Sequence, residues 1–271
     1  MTDSYAVIGN PIAHSKSPQI QAAFARQTSQ DIVYTTILCE IGAFAQTVQA
    51  FRTSGGRGLN VTLPFKREAF DLATCHSVSA QQAGAVNTLI FSVDGITGDN
   101  TDGAGLLRDI TENLHVDPRD KRVLLLGAGG ASFGVVGPLL ARAPRSLTIA
   151  NRTVAKAAEL RARFSAHANV EGCGYDALND RVFDLVINAT SAGLSDAMPA
   201  LPDELFARGA LAYDMVYGKT TPFMAFAQAR GATVADGLGM LVEQAAESFY
   251  LWRGVRPQTA PVMALLRGAA Q

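Results

Sequence analysis

Two residues far apart in the chain, Lys66 and Asp102, are of the types that form an acid/base pair. Lys66 ends the segment GLNVTLPFK (58–66), in which a short strand carries Thr62 near its end and Pro64 opens a helix. That spacing puts Lys66 in the first helical turn, where the dipole disfavours an ammonium. A lysine there is either an ordinary surface residue or one with a carboxylate partner, fit for general acid/base work. The partner candidate is Asp102 in GDNTDG (98–103). Two acids and a threonine in a Gly-flanked loop before a helix also read as a capping motif. A metal loop would need further acids at regular spacing, so no metal is expected. Asn87, in GAVNT, enters a strand over 88–93 and could face solvent or ligand.

A second group of polar residues lies in NPIAHSKSP (10–18). Ser17 is a natural N-cap and Pro18 a natural first helical residue. Ser15 adds a second hydroxyl beside the same positive dipole end. Together they are either a plain cap with two exposed serines or a receptor for a carboxylate.

A third motif is the run VLLLGAGGAS (123–132). A buried strand meets Gly127, Gly129 and Gly130, and a helix follows, as in turns where backbone approaches a pyrophosphate. Ser132 stands where a third Gly or Ala would be. The next strand ends in Asn151-Arg152-Thr153, with Lys156 one turn on. An NAD site usually carries an acid here for the ribose hydroxyls. Two cations and no acid favour a 2′-phosphate, hence NADP. The alternative is a solvated pair at a helix start. A later strand runs into NATSAG (188–193), which is either an ordinary turn or part of the ligand crevice.

These motifs need a scaffold of alternating elements. Strands are expected over 5–8, 32–38, 58–63, 122–126, 147–150, 183–187 and 210–215, and helices over 18–26, 154–164, 222–230 and 241–252. The alternation predicts an α/β fold with parallel sheets. The charged stretch HVDPRDKR (115–122) marks a boundary before a second sheet.

The chain has 271 residues, 48% of them hydrophobic, enough for two modest domains and too apolar for disorder. Lys+Arg is 23 and Asp+Glu 24, so no global field draws nucleic acid or a membrane surface. Cys39, Cys75 and Cys173 are scattered, with no metal-ligand spacing, which suits a reducing compartment. No apolar run approaches a membrane span, and the start lacks the pattern of a signal peptide. A cytoplasmic location is expected.

The ordered set NPIAHSKSP, NVTLPFK, AGAVNT, GDNTDG, GAGGAS, NRT, INATSAG, DMVY and DGLGMLVEQAA resembles the shikimate dehydrogenases, over almost the whole chain. GDNTDG and DGLGMLVEQAA are specific to that family and its quinate-using relatives. The resemblance implies a mostly parallel substrate domain over 1–105, completed by 239–271, and a Rossmann-type NADP domain over 106–238. It implies reversible NADP-linked reduction of 3-dehydroshikimate to shikimate, in aromatic amino acid biosynthesis, by a monomer or homodimer. Lys66 and Asp102 would be the catalytic pair. Ser15 and Ser17 would hold the substrate carboxylate, with Thr62, Asn87, Tyr217 and Gln244 as further substrate contacts. Gly127, Ala128, Gly129, Gly130 and Ala131 would bind pyrophosphate. Asn151, Arg152, Thr153 and Lys156 would bind the adenosine end, and Met215 and Gly237 would lie near the nicotinamide.

Three positions depart from the family pattern. Gln21 replaces a frequent His and is expected to face away from the carboxylate. Phe133 replaces a frequent basic residue. The stretch 75–82 lacks common acids, with Val78 in place of one. Two other readings remain: a quinate/shikimate dehydrogenase of broader range, and a non-catalytic NADP-sensing protein. The intact Lys66 and Asp102 argue against the sensor, and the NRT block against NAD use.

Overall fold

The computed structural model describes residues 2–190 and 197–268. The chain forms two compact units, Met1–Gly105 with Leu241–Gln271, and Leu106–Met240. It crosses from the first unit to the second within helix α5 (Asp102–Arg108) and returns within helix α9 (Leu238–Arg253).

The first unit is built on a six-stranded sheet of order β2-β1-β3-β5-β6-β4. Its strands are β1 (Asp3–Gly9), β2 (Ile32–Leu38), β3 (Gly56–Val61), β4 (Cys75–His76), β5 (Thr88–Ser92) and β6 (Gly95–Asp99). Three of the five pairings are parallel; β5 with β3 and β5 with β6 are antiparallel. The β5–β6 hairpin corrects the expectation that GDNTDG is all loop, since Gly98 and Asp99 still belong to a strand. Alternation is hard to see there because β6 is short and carries two glycines.

Helix α1 (Ser17–Thr28) buries Ile20, Gln21, Phe24 and Ala25. Phe249 of α9 meets Phe24 edge to face, with ring centres 5.8 Å apart, and both rings are fully buried. Trp252 stacks on Tyr5 at 4.7 Å and donates its indole N–H to the Leu89 carbonyl at 3.1 Å. These contacts fix the later turns of α9 on the first sheet.

The second unit has an all-parallel sheet of order β12-β11-β10-β7-β8-β9. Its strands are β7 (Arg122–Leu126), β8 (Ser146–Ala150), β9 (Val170–Cys173), β10 (Phe183–Asn188), β11 (Phe206–Asp214) and β12 (Thr233–Ala235). Counted from β7, this is the doubly wound 3-2-1-4-5-6 order, whose direction reverses between β7 and β10. Val123–Leu126 of strand β7 read VLLL and are wholly buried, as the middle of a central parallel strand must be. Strands β7, β8, β10 and β11 lie where the apolar runs put them, with ends displaced by up to four residues, whereas the short edge strands β9 and β12 were not expected. Among the described residues no helix is long and apolar enough to cross a membrane.

Phe249 is fully buried, so Phe249→Ala should cost about 3–5 kcal/mol and Phe249→Leu distinctly less. Urea unfolding, read as the fall in midpoint against the parent, checks the order and the gap between the two.

Candidate active site

The turn after β3 delivers the lysine. The Phe65 N–H donates to the Thr62 carbonyl at 3.0 Å, and helix α3 (Lys66–Leu72) begins at the next residue. The helix therefore opens on Lys66, two residues later than Pro64 suggested. Its Nζ lies 2.6 Å from Asp102 Oδ2. The Asp102 side chain is 5% exposed and that of Lys66 26%.

Asp102 is free to do this because it is not the cap of α5. Helix α5 begins on Asp102 itself, and the Asn100 amide oxygen accepts the Asp102 N–H at 3.1 Å. The capping reading of GDNTDG thus belongs to Asn100, and the Asp102 carboxylate points elsewhere. Its second oxygen accepts from Asn87 Nδ2 at 2.8 Å.

Asn87 turns out to be buried, facing neither solvent nor open space. Its Nδ2 also reaches Thr101 Oγ1 at 3.0 Å and Gln244 Oε1 at 3.1 Å. Its Oδ1 accepts from the Thr101 N–H at 2.9 Å and from Thr88 Oγ1 at 2.9 Å. Lys66, Asp102, Asn87 and Gln244 therefore form one directly bonded group. The carboxylate of the pair is desolvated, and a buried charge is tolerable only when its remaining lone pairs are satisfied. Asn87 satisfies them.

Ser15 and Ser17 also meet, though not as a cap of the expected kind. Helix α1 begins on Ser17, and its cap residue, Lys16, makes no side-chain cap bond. The Ser15 hydroxyl accepts the Ser17 N–H at 3.2 Å. Both serines are half-buried. Thr62 hangs from the end of β3 beside the end of β1, with its N–H on the Ile8 carbonyl at 3.0 Å. Gln21 is fully buried and donates to the Ala245 carbonyl at 3.1 Å. It lies against α9, next to the residue that carries Gln244.

In the second unit, Gly127 adopts φ +105, where a side chain would be strained, and an added Cβ would meet the Ala189 backbone at 3.2 Å. The turn thus lies at the strand reversal, with β10 close beside it. Gly129 and Gly130 are exposed with open space where side chains would stand. They open helix α6 (Gly130–Ala141). Ser132, at the position of the missing third glycine, is buried and donates its hydroxyl to the Gly127 carbonyl at 2.9 Å. A serine there braces the turn from beneath. Ala131, beside it, is half-buried. Asn151 Oδ1 accepts from the Ala128 N–H at 3.3 Å. Thr153 precedes helix α7 (Val154–Ala162) without bonding into it through its side chain.

Arg152 and Lys156 are exposed, and among the described residues neither has an ion-pair partner. Burial pushes the nearby Tyr175 phenol up, and Arg152 pulls it back. An open glycine turn at a helix start, with cations and no acid at the neighbouring strand end, fits a 2′-phosphorylated dinucleotide.

Met215 and Gly237 come together. Gly237 N–H donates to the Val216 carbonyl at 3.1 Å, and a Cβ on Gly237 would collide with the Met215 carbonyl. Tyr217 is 37% exposed, and burial pushes its phenol above the ordinary value. Of NATSAG, Ser191, Ala192 and Gly193 lie outside the described residues.

Several positioning residues escape a reading by type. Asp214, the first residue of DMVY, is wholly buried and accepts from Asn188 Nδ2 at 3.0 Å and from Thr221 Oγ1 at 2.6 Å. It ties the ends of β10 and β11 beneath Met215. Asp109 is buried and accepts from the Tyr213 hydroxyl at 2.7 Å. Burial first, then the Asp109 charge, push that phenol well above its ordinary value. Asp214 shows in the sequence only as a charge inside an otherwise apolar stretch, and Asp109, between Arg108 and Glu112, carries no such signal. Among the described residues no group of three His, Cys, Asp or Glu could hold a metal ion.

A lysine against a buried aspartate in one unit and a doubly wound, glycine-turned dinucleotide unit in the same chain define a nicotinamide-linked oxidoreductase. Residues 7–89 match the shikimate dehydrogenase substrate binding domain, 109–195 the shikimate/quinate 5-dehydrogenase domain, and 237–267 the shikimate 5′-dehydrogenase C-terminal domain. The chain is 57% identical over 271 residues to a shikimate dehydrogenase (NADP(+)) of Nitrosospira multiformis, covering 99% of this chain and 98% of that one. It is 59% identical over 270 residues to one of Aromatoleum aromaticum, covering 98% and 97%. The crystal structure of shikimate 5-dehydrogenase from Thermus thermophilus, in complex with NADP(H) and shikimate, is similar with a TM-score of 0.89. That similarity covers 100% of both chains at 31% identity. The chain belongs to the shikimate dehydrogenase family.

If Arg152 meets the 2′-phosphate, Arg152→Ala should raise KM for NADP+ far more than for NAD+. One charge-assisted contact is worth ~1.5–3 kcal/mol, or roughly tenfold to hundredfold. Equal effects on the two cofactors would remove Arg152 as the discriminator.

Proposed function

We infer that this chain catalyses the reversible NADP-linked reduction of 3-dehydroshikimate to shikimate, in aromatic amino acid biosynthesis. The observation that carries the chemistry is the 2.6 Å contact between Lys66 Nζ and a buried Asp102. When bound, NADPH supplies the hydride for the ketone carbon.

The chain's own residues do the rest. Reduction gathers negative charge on the ketone oxygen, which then needs a donor. Lys66 has three N–H donors, one of them on Asp102, so others are available to that oxygen. Ionised Asp102 has no proton to give, and its two oxygens already accept from Lys66 and Asn87. Lys66 therefore carries the proton, and Asp102 orients it. In the reverse direction the lysine amine takes the proton from the substrate hydroxyl.

Ser15 and Ser17 hold the substrate carboxylate in this reading. Thr62, Gln244 and Tyr217 bind its other oxygens, and Asn87 works mainly by orienting Asp102. The backbone from Gly127 to Ala131 holds pyrophosphate. Asn151, Arg152, Thr153 and Lys156 hold the adenosine end, with Met215 and Gly237 toward the nicotinamide. The NADP-sensing reading is not favoured, because a sensor has no use for an intact proton-transfer pair. The broader quinate reading is not favoured either, given relatives named for shikimate and NADP. Unpaired Cys39, Cys75 and Cys173 support a reducing, cytoplasmic setting.

Two outcomes test the site. Lys66→Ala should lose on the order of 10²–10⁴ in kcat, while the Kd for shikimate shifts by less than about tenfold. Near-native kcat with lost affinity would make Lys66 a binding residue. Replacing Ser15 and Ser17 together by Ala should raise KM for shikimate and leave NADP+ affinity nearly unchanged. Initial rates of NADP+ reduction, with shikimate beside quinate and NAD+ beside NADP+, give kcat and KM, and a separate binding titration gives the Kd for shikimate.

A further inference from the structure

Thr88 closes the motif AGAVNT, begins β5 and is wholly buried. Its Oγ1 lies 2.9 Å from Asn87 Oδ1 and 2.8 Å from Ser248 Oγ, a second wholly buried hydroxyl, on α9. Both ends of this short chain have fixed roles. Asn87 Oδ1 faces the Thr101 N–H at 2.9 Å, so it is the amide oxygen and can only accept. Asn60 Nδ2 faces the Asn87 carbonyl at 3.2 Å, so it is the amide nitrogen and can only donate. It shares its two protons among that carbonyl, Ser248 Oγ at 2.9 Å and Thr88 Oγ1 at 3.2 Å.

Each hydroxyl between these ends has one proton. The arrangement that bonds every contact runs one way, from Ser248 to Thr88 and from Thr88 to Asn87 Oδ1. The Gln244 carbonyl, 3.1 Å from Ser248 Oγ, already accepts within the ladder of α9. Thr88 thus has one lone pair taken by Ser248 and the other facing Asn60, and it has only its proton to offer Asn87.

The direction matters because an amide can turn over. Asn87 holds Asp102 through Nδ2 at 2.8 Å. Turned by half a rotation, it would set an oxygen against a carboxylate oxygen. Thr101 Oγ1 lies 3.0 Å from Nδ2 and 3.2 Å from Oδ1, so it suits either orientation. The groups that select one are the Thr101 N–H and the Thr88 hydroxyl. We propose that Thr88 is a positioning residue for the proton-transfer pair: its hydroxyl pins the Asn87 amide in the orientation that gives Asp102 a donor, and Asp102 in turn holds Lys66. Thr88 acts through Asn87 and touches neither member of the pair.

This inference rests on the reading that Lys66 and Asp102 carry out the proton transfer, and the test separates the two. Thr88→Val, Thr88→Ser, Lys66→Ala and the Thr88→Val/Lys66→Ala double variant are assayed as shikimate oxidation by NADP+. Loss of one hydrogen bond predicts about a 3- to 10-fold fall in kcat with Thr88→Val. The ratio kcat/KM should fall equally, with KM for shikimate and for NADP+ near parent. Thr88→Ser keeps the hydroxyl and should restore most of kcat. In the Lys66→Ala background the Thr88→Val effect should vanish, whereas a general loss of packing would carry over. Parent kcat in Thr88→Val, a loss that Thr88→Ser does not restore, or one that persists without Lys66 overturns the proposal. Should Lys66→Ala itself keep parent kcat, the proton-transfer reading fails, and the proposal with it. If Thr88→Val does not fold, Thr88→Cys, with its weak donor, goes through the same comparisons with the same deciding outcomes.

Discussion

A carboxylate taken almost wholly out of water, with an ammonium against it, is the constraint around which the first unit is arranged. Asp102 has two oxygens to satisfy, and neither can be left bare. Lys66 takes one and Asn87 the other. Meeting that demand needs the turn after β3, the strand that begins at Thr88, the end of the β6 hairpin and the middle of α9. Each arrives from a different stretch of sequence. Asn87 is the junction, since its amide group bonds to Thr88, Thr101, Asp102 and Gln244 at once. Exchanging so committed an amide for an apolar residue would leave several buried polar atoms without partners.

The second unit solves a different problem, that of bringing backbone close to an anion. Its means is absence of side chain at Gly129 and Gly130, together with a backbone turn at Gly127 that ordinary residues resist. Such a turn is loose unless something holds it. Ser132 braces it from within its own helix, and Asn151 from the neighbouring strand. Asp214, with Asn188 and Thr221, performs the same service for the ends of β10 and β11.

How much of this could be read from residues alone depended on whether the signal was local. Strand β7 and its glycines are contiguous, and hydrophobicity with turn chemistry was enough to find them. Lys66 and Asp102 were legible as types, because each sits oddly for its place: a cation at a helix start, an acid in a crowded polar loop. What was not legible is which group caps what. Ser17 looked like a cap, and Lys16 stands at that position instead, while in GDNTDG, which read as a capping motif, the group that takes the N–H of Asp102 is the Asn100 amide oxygen. The β5–β6 hairpin was missed because two glycines and a short length mask its alternation. Asn60 and Ser248, whose side chains meet at 2.9 Å, were invisible for another reason: they are ordinary polar residues 188 positions apart in the chain.

The return of the chain within α9 also sets an order on synthesis. Residues 106–240 can close their own sheet as soon as they have emerged, since every strand of it lies inside that stretch. The unit that emerges first can pair its six strands but cannot cover them, because Gln244, Ser248, Phe249 and Trp252 come only with α9. Until then the face of its sheet that α9 will cover stands open, and Asn60 and Thr88 lack the Ser248 hydroxyl that meets both. The N-terminal half of this enzyme therefore waits through the making of the whole second unit before its own core and site can be completed, a reversal of the usual N-to-C order of domain maturation.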